Sequence, residues 1–134
     1  MSVKVPPWKA LARGADLFNR GLHWEAHEAW EQLWLELSDE PRVFVQGLIQ
    51  VAAAFHHYSR ENLLGTRKLL QAGLLKLDSF PETHGGLEIE PLRCEVREWV
   101  AVLTSGQVPG GMNPPQIARS HAARSSAPVK SRDD

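Results

Sequence analysis

An imidazole and two carboxylates lie close together in residues 24–34, which read Trp-Glu-Ala-His-Glu-Ala-Trp-Glu-Gln-Leu-Trp. His27 and Glu31 are one helical turn apart, as are Glu28 and Glu31, so on a helix all three can converge on one place. Histidine and glutamate in this arrangement can bind zinc, iron or manganese. The pattern indicates a polar site, but it does not name a reaction.

The order His-Glu-x-x-Glu differs by one residue from the His-Glu-x-x-His helix of zinc proteases. In those enzymes the two histidines bind the metal and the glutamate between them activates water. Here the ligands would be His27 and Glu31, with His56 or His57 as a third from a later helix. The paired Glu-x-x-His steps that build carboxylate-bridged metal sites in helical bundles do not occur in the sequence. The cofactor stays unidentified.

The same stretch has the apolar spacing of an amphipathic helix. Apolar residues at 26, 30, 33, 34 and 37 follow steps of three and four. The aromatic load is heavy, and tryptophans usually enter a core. We expect Trp24 and Trp34, at the two ends of the stretch, to lie at a surface groove.

A second, more apolar helix is predicted from about residue 42 to residue 59, and its few polar residues are informative. Gln46, Gln50 and His57 fall along one line. Because only a four-residue break separates the two helices, they should pack antiparallel and bring that line opposite the first set. We therefore predict a polar cluster between the two helices, consisting of His27, Glu28, Glu31, Gln46, Gln50 and His57. The favoured interpretation is a buried hydrogen-bond network that fixes their register.

Length and composition indicate one soluble domain. The chain has 134 residues, 43% of them hydrophobic and 23% charged, with a formal net charge of −1. That balance gives no general attraction to nucleic acid or to anionic membranes. No apolar run approaches the ~18 residues of a membrane span, and the first residues do not resemble a secretory signal. Since Cys94 is the only cysteine, no intrachain disulfide can form. We expect a cytoplasmic protein.

Helical periodicity interrupted by glycine and proline predicts an all-α antiparallel bundle of about five helices. Two helical hairpins are followed by a closing helix, and the helical domain spans residues 1–106. The predicted helices cover about 8–19, 22–37, 42–59, 63–80 and 91–106. From residue 107 the composition shifts to proline, glycine, serine, alanine and arginine. Residues 107–134 are therefore predicted to be a flexible tail.

Two sequence motifs resemble a family catalogued as domain of unknown function 309. The family has an FNxG step with an EAHE helix, then a QGLIQ helix, a histidine, an asparagine turn and a leucine-rich helix. These motifs match residues 18–31, 44–52, His57, 60–62 and 69–70, within a resemblance over residues 15–80. The resemblance implies an all-helical, cytosolic prokaryotic protein and implies no activity. Where the family usually has a glycine in the asparagine turn, this chain has Glu61.

Three classes of function are consistent with these residues. The favoured one is a non-enzymatic interaction or ligand-binding protein. The alternative is a metal-dependent, hydrolase-like enzyme using His27, Glu28 and Glu31, and the third is a structural accessory subunit. Five tryptophans in a small chain also favour a homodimer, through the Trp99 face or the Trp8 region. No nucleic-acid or membrane partner is expected.

Overall fold

The computed structural model describes residues 8–120, which form five helices and one short hairpin. Their bounds, in chain order, are α1 Trp8–Asn19, α2 His23–Trp34, α3 Asp39–Ser59, α4 Leu63–Leu77, β1 Thr83–His84, β2 Leu87–Glu88 and α5 Ile89–Thr104. The predicted all-α bundle is confirmed. None of the helices within residues 8–120 has the length and apolar character needed to cross a membrane.

The first two helices pack closely because a glycine faces a tryptophan. The Trp30 indole lies in the space beside Gly14, where a Cβ atom would overlap the indole ring. Its N–H donates to the Leu11 carbonyl at 3.2 Å, so a fully buried ring keeps its polar atom satisfied. This contact fixes how α1 lies on α2.

The central helix is α3, which is buried along most of its length, as its apolar composition predicts. It approaches α4 closely where Gly47 faces Gly73, since a Cβ on Gly73 would lie 2.9 Å from the Gly47 carbonyl oxygen. Its first residue is Asp39, so Pro41 lies in the first turn rather than opening the helix. Acidic residues at positions 39 and 40 suit that end of the helix dipole, and the first turn tolerates a proline without an N–H.

The loop after α4 contains a feature that periodicity did not reveal. Thr83 pairs with Glu88 and His84 with Leu87 in an antiparallel ladder of two two-residue strands. Gly85 and Gly86 have φ values of 61° and 81°, the left-handed conformation that tight hairpin turns require. This hairpin is the one departure from the predicted all-α architecture in the described residues, and strands this short contain no alternating pattern that could predict them.

A buried arginine ends α4 earlier than predicted. Arg93 on α5 donates to the Leu77 carbonyl at 2.6 Å and to the Phe80 carbonyl at 2.7 Å. Its guanidinium also pairs with Glu90 at 2.8 Å. These bonds satisfy carbonyls that lack partners where the helix stops, so α4 ends at Leu77.

Residues 107–120, which the sequence analysis assigned to the tail, pack across the bundle. Asn19 accepts a hydrogen bond from the Ile117 N–H at 2.7 Å and donates one to its carbonyl at 2.9 Å, and Ile117 is buried. The Trp99 indole donates to the Asn113 carbonyl at 3.2 Å. Composition alone missed these contacts because their partners lie far away in the sequence. Residues 121–134 lie outside the described residues.

Candidate functional site on helices α2 and α3

Four side chains on α2 and three on α3 form an outward-facing surface that we call the α2–α3 face. Its members are Trp24, His27, Glu31 and Trp34 on α2 and Arg42, Gln46 and His56 on α3. Steps of three and four place the α2 members on one side of that helix, and a step of four does the same for Arg42 and Gln46 on α3. His56 joins the face through its contact with Trp24. The start of α2 contacts the end of α3 through Trp24 and His56, and the end of α2 contacts the start of α3 through Trp34 and Arg42. These contacts confirm the predicted antiparallel packing.

One end of this face is an exposed tryptophan between two imidazoles. Trp24 keeps 43% of its surface exposed. The His27 ring stacks on it with centroids 4.6 Å apart and planes 9° apart, and the His56 ring lies 4.8 Å away at 41°. Stacked aromatic rings gain from this offset arrangement, but the contact leaves much of the indole open to a ligand.

The other end pairs a tryptophan with an arginine. The Arg42 guanidinium lies 3.8 Å from the centroid of the Trp34 ring, which is cation–π distance. These two side chains line a cleft of about 630 Å³, together with Gln46, Val43 and the first residues of α3. The Trp34 indole nitrogen and the Arg42 Nε are buried and donate to no described residue. This end therefore offers a ligand an aromatic surface beside a guanidinium.

The expectation of a surface groove is confirmed for Trp34, which lines a cleft, whereas Trp24 is exposed beside His27 and His56. Arg42 was not among the predicted site residues. A cation one turn before Gln46 on the same line of α3 was the available signal, but its stacking on Trp34 required the helix pairing.

His23 borders the α2–α3 face at the first residue of α2. Its ring packs edge-on against Phe18 at 4.8 Å and lies 5.6 Å from Phe55. Burial lowers the pKa of His23 below its ordinary value, and the nearby His56 lowers the pKa further. His23 was also not among the predicted site residues, because the sequence pattern around it does not distinguish it from the other histidines.

The predicted polar cluster is not one cluster in the structure. His27, Glu31 and Gln46 lie on the α2–α3 face, whereas Glu28 lines a groove between α1 and α2. His27 and Glu28 diverge because adjacent helical residues point about 100° apart. The expected convergence of His27, Glu28 and Glu31 on one place is therefore corrected.

Gln50 and His57 lie on the α4 side of α3. The Gln50 Cβ is a neighbour of Gly73, and the His57 Nδ1 accepts a bond from the Asn62 side-chain nitrogen at 3.0 Å. Asn62 also caps α4 by accepting from the Gly65 N–H at 3.0 Å. His57 thus supports a helix cap, and the chain turns there through Glu61, whose φ of 62° explains why glycine suits this position.

The hydrogen-bond network proposed from the sequence is not formed. The Gln50 Oε1 and the His27 Nδ1 are buried, and neither bonds to a described residue. Glu31 is exposed and so cannot act as a buried acceptor. Residues 8–120 contain no group of three or more histidine, cysteine, aspartate or glutamate side chains placed to hold a metal ion. His27 and Glu31 therefore lack the third ligand that the sequence suggested.

The two tryptophans suggested for a homodimer each contact residues of their own chain. Trp99 is 1% exposed and packs against Phe55 and Tyr58. The Arg119 guanidinium lies 4.7 Å from the centroid of the Trp8 ring. The homodimer stays a prediction, but Trp24 is the tryptophan that a partner can reach most directly.

Comparison with known proteins agrees with the resemblance seen in the sequence. The family model described as "Domain of unknown function (DUF309)" matches residues 11–69, from α1 into α4. A comparison with curated proteins gives no match. The matched segment includes all of α2 and α3, and therefore the whole α2–α3 face. Over residues 11–69 the chain is therefore similar to the DUF309 domain, to which no function is assigned.

Proposed function

We propose that the protein is a non-enzymatic binding protein that uses the α2–α3 face to recognise a partner or ligand. The observation that supports this is the pair of tryptophans at the two ends of the face. Each contacts a polar side chain of α3, His56 at Trp24 and Arg42 at Trp34, and Trp34 also packs against the core. Tryptophan and arginine are the residues that most often dominate binding energy at interfaces.

The chemistry of the Trp34 end favours an aromatic acid or a carboxylate beside an apolar group. An aromatic ring stacks on the indole, and Arg42 donates to the carboxylate in a charge-assisted bond. Asp39 and Glu40 line the same cleft and attract amines, so a preference for acids requires that the ligand's carboxylate contact Arg42 directly. The proposal therefore predicts a preference for acids at this end.

Indole N–H resonances test the proposal, because each tryptophan reports on its own surroundings. Benzoate and benzylamine have the same ring and opposite charge. We expect benzoate to shift the Trp34 signal more than benzylamine does, and to leave the signals of Trp30 and Trp99 unchanged. Arg42→Gln should remove the preference for benzoate.

The exposed Leu75 provides a control, since Leu75→Ala changes an apolar residue on α4 away from this face. That variant should respond to benzoate as the parent chain does. Equal responses of all tryptophans, or no response of Trp34 at millimolar benzoate, would contradict the proposal.

A further inference from the structure

A groove of about 700 Å³ runs between α1 and α2, on a different side of α2 from the α2–α3 face. Its floor is apolar and its walls are mostly acidic. The floor consists of Ala10, Leu17, Ala29 and Leu33, and the walls of Arg13, Glu25, Glu28, Gln32 and Glu36. A surface of this composition has an apolar centre with a charged rim, as protein-binding grooves do.

The shape of the groove follows from residue spacing on its two helices. The α1 members recur at steps of three and four, and so do those on α2 and the turn after it. Ala10 and Ala29 have short side chains, which keep the floor low between the longer walls. From Glu25 to Leu33 the groove extends about 12 Å along α2, at ~1.5 Å per residue. A partner helix of about three turns, ~16 Å long, covers that length.

The charge of the walls is unbalanced. Three carboxylates face one guanidinium, and within residues 8–120 none of Glu25, Glu28 and Glu36 forms an ion pair. All three are exposed, so their field reaches a ligand approaching the groove. The same field repels anionic lipid and nucleic acid.

We propose that the α1–α2 groove binds an amphipathic helix of a partner protein, with leucine-like residues on one face and lysine or arginine beside them. The apolar face would cover the floor between Leu17 and Leu33, and the basic residues would pair with Glu25, Glu28 and Glu36. A helix suits this surface because side-chain rows of two helices guide a third into the groove between them. An extended peptide would find no unpaired sheet edge in this groove.

A designed probe peptide tests the groove directly. The probe is a blocked helical peptide of about 14 residues, ~21 Å long, with leucines recurring at helical spacing and lysines beside them. Its comparison peptide has glutamate at every lysine. We expect the lysine peptide to bind, to weaken as salt increases, and to shift amide resonances of α1 and α2 around the groove. The glutamate peptide should not bind.

Matched charge variants show whether the lysine peptide binds because of the groove or because of the protein's net charge. Glu25→Gln/Glu28→Gln/Glu36→Gln should weaken binding by about tenfold, since three exposed charge pairs are lost. The control Glu82→Gln/Glu95→Gln/Glu98→Gln removes three exposed negative charges elsewhere and should bind as the parent chain does. Trp24→Ala, on the α2–α3 face, should also bind normally, which separates this proposal from the proposed function. Equal weakening in the two triple variants, or equal binding of both peptides, would overturn it.

Discussion

The two sides of α2 use tryptophan differently. Trp30 on the core side is fully buried, has its N–H bonded to Leu11 and lies against a glycine that leaves room for it. Trp24, six residues earlier, is 43% exposed and touches two histidine rings. The first indole is part of the core, whereas the second lies largely outside it. A large aromatic side chain that packing does not require is available for binding.

Replacing each tryptophan by alanine gives the largest contrast. Trp30→Ala should lower the free energy of unfolding by about 3–5 kcal/mol, because it leaves a cavity in the core. Trp24→Ala should change it by less than about 1 kcal/mol, since only a partly exposed ring contact is lost. Urea unfolding curves measure both values. Similar losses in the two variants would mean that the two sides of α2 do not differ as described.

The glycine opposite Trp30 tests the core side from the other helix. Gly14→Ala should destabilise by roughly 1–3 kcal/mol, because the added methyl group overlaps the indole. Combining it with Trp30→Ala should cost less than the sum of the two single changes, since they share one contact. Arg13→Ala, one residue away and exposed, serves as the control and should be nearly neutral. Additive losses would contradict a direct contact.

Histidine protonation should have a smaller effect on stability, through His23 at the start of α2 and His84 in the hairpin. Burial lowers the pKa of both His23 and His84, so below pH ~6.5 the unfolded chain binds protons that the folded chain does not. Stability should therefore be highest above that pH and decrease as the pH falls from about 6.5 toward the lower folded pKa values. Thermal melts from about pH 7.5 to about pH 5 measure this decrease.

His23→Phe should reduce the pH dependence while keeping the ring contacts with Phe18 and Phe55. The dependence due to His84 should persist in that variant. An unchanged slope would show that His23 does not titrate as its burial indicates.

The smallest effects are expected on the α2–α3 face. Glu31→Ala and Gln46→Ala should each change stability by less than about 0.5 kcal/mol, as exposed or unbonded side chains usually do. A buried network would instead cost on the order of 1–3 kcal/mol per residue. Asn62→Ala is a useful reference in the same melts, because removing a helix cap costs about 1 kcal/mol. Losses at Glu31 larger than at Asn62 would restore the network interpretation.

The sequence predicted the helical architecture well because local signals determine it. The apolar residues and the capping Asn62 lie within or beside the helices they define, and the antiparallel pairing of α2 with α3 follows from their short connection. The position of Trp34 at the end of the 24–34 stretch also sufficed to indicate a surface cleft.

The details of the site depended on how each helix is rotated about its axis and on contacts between residues far apart in the sequence. Residue spacing within one helix constrains both only weakly. The prediction that Glu28 joins His27 and Glu31 treated one helical turn as a guarantee of convergence, although α1 and α3 approach α2 from different sides. The packing of residues 107–120 depends on Asn19 and Ile117, which are 98 residues apart in the chain. No local pattern identifies that pair, and its polar, proline-rich surroundings resemble those of a disordered segment.

That long separation also affects the order in which the molecule assembles. The loop closed by Asn19 and Ile117 spans almost the whole described chain. The entropic cost of closing it is offset by contacts that can form only once α1 and the rest of the bundle are in place. Residues 107–120 should therefore dock late in folding and detach in partial openings that leave the five helices intact. Hydrogen exchange of the Ile117 and Ser120 amides would then be faster than exchange in the middle of α3, although both amides are bonded in the native state.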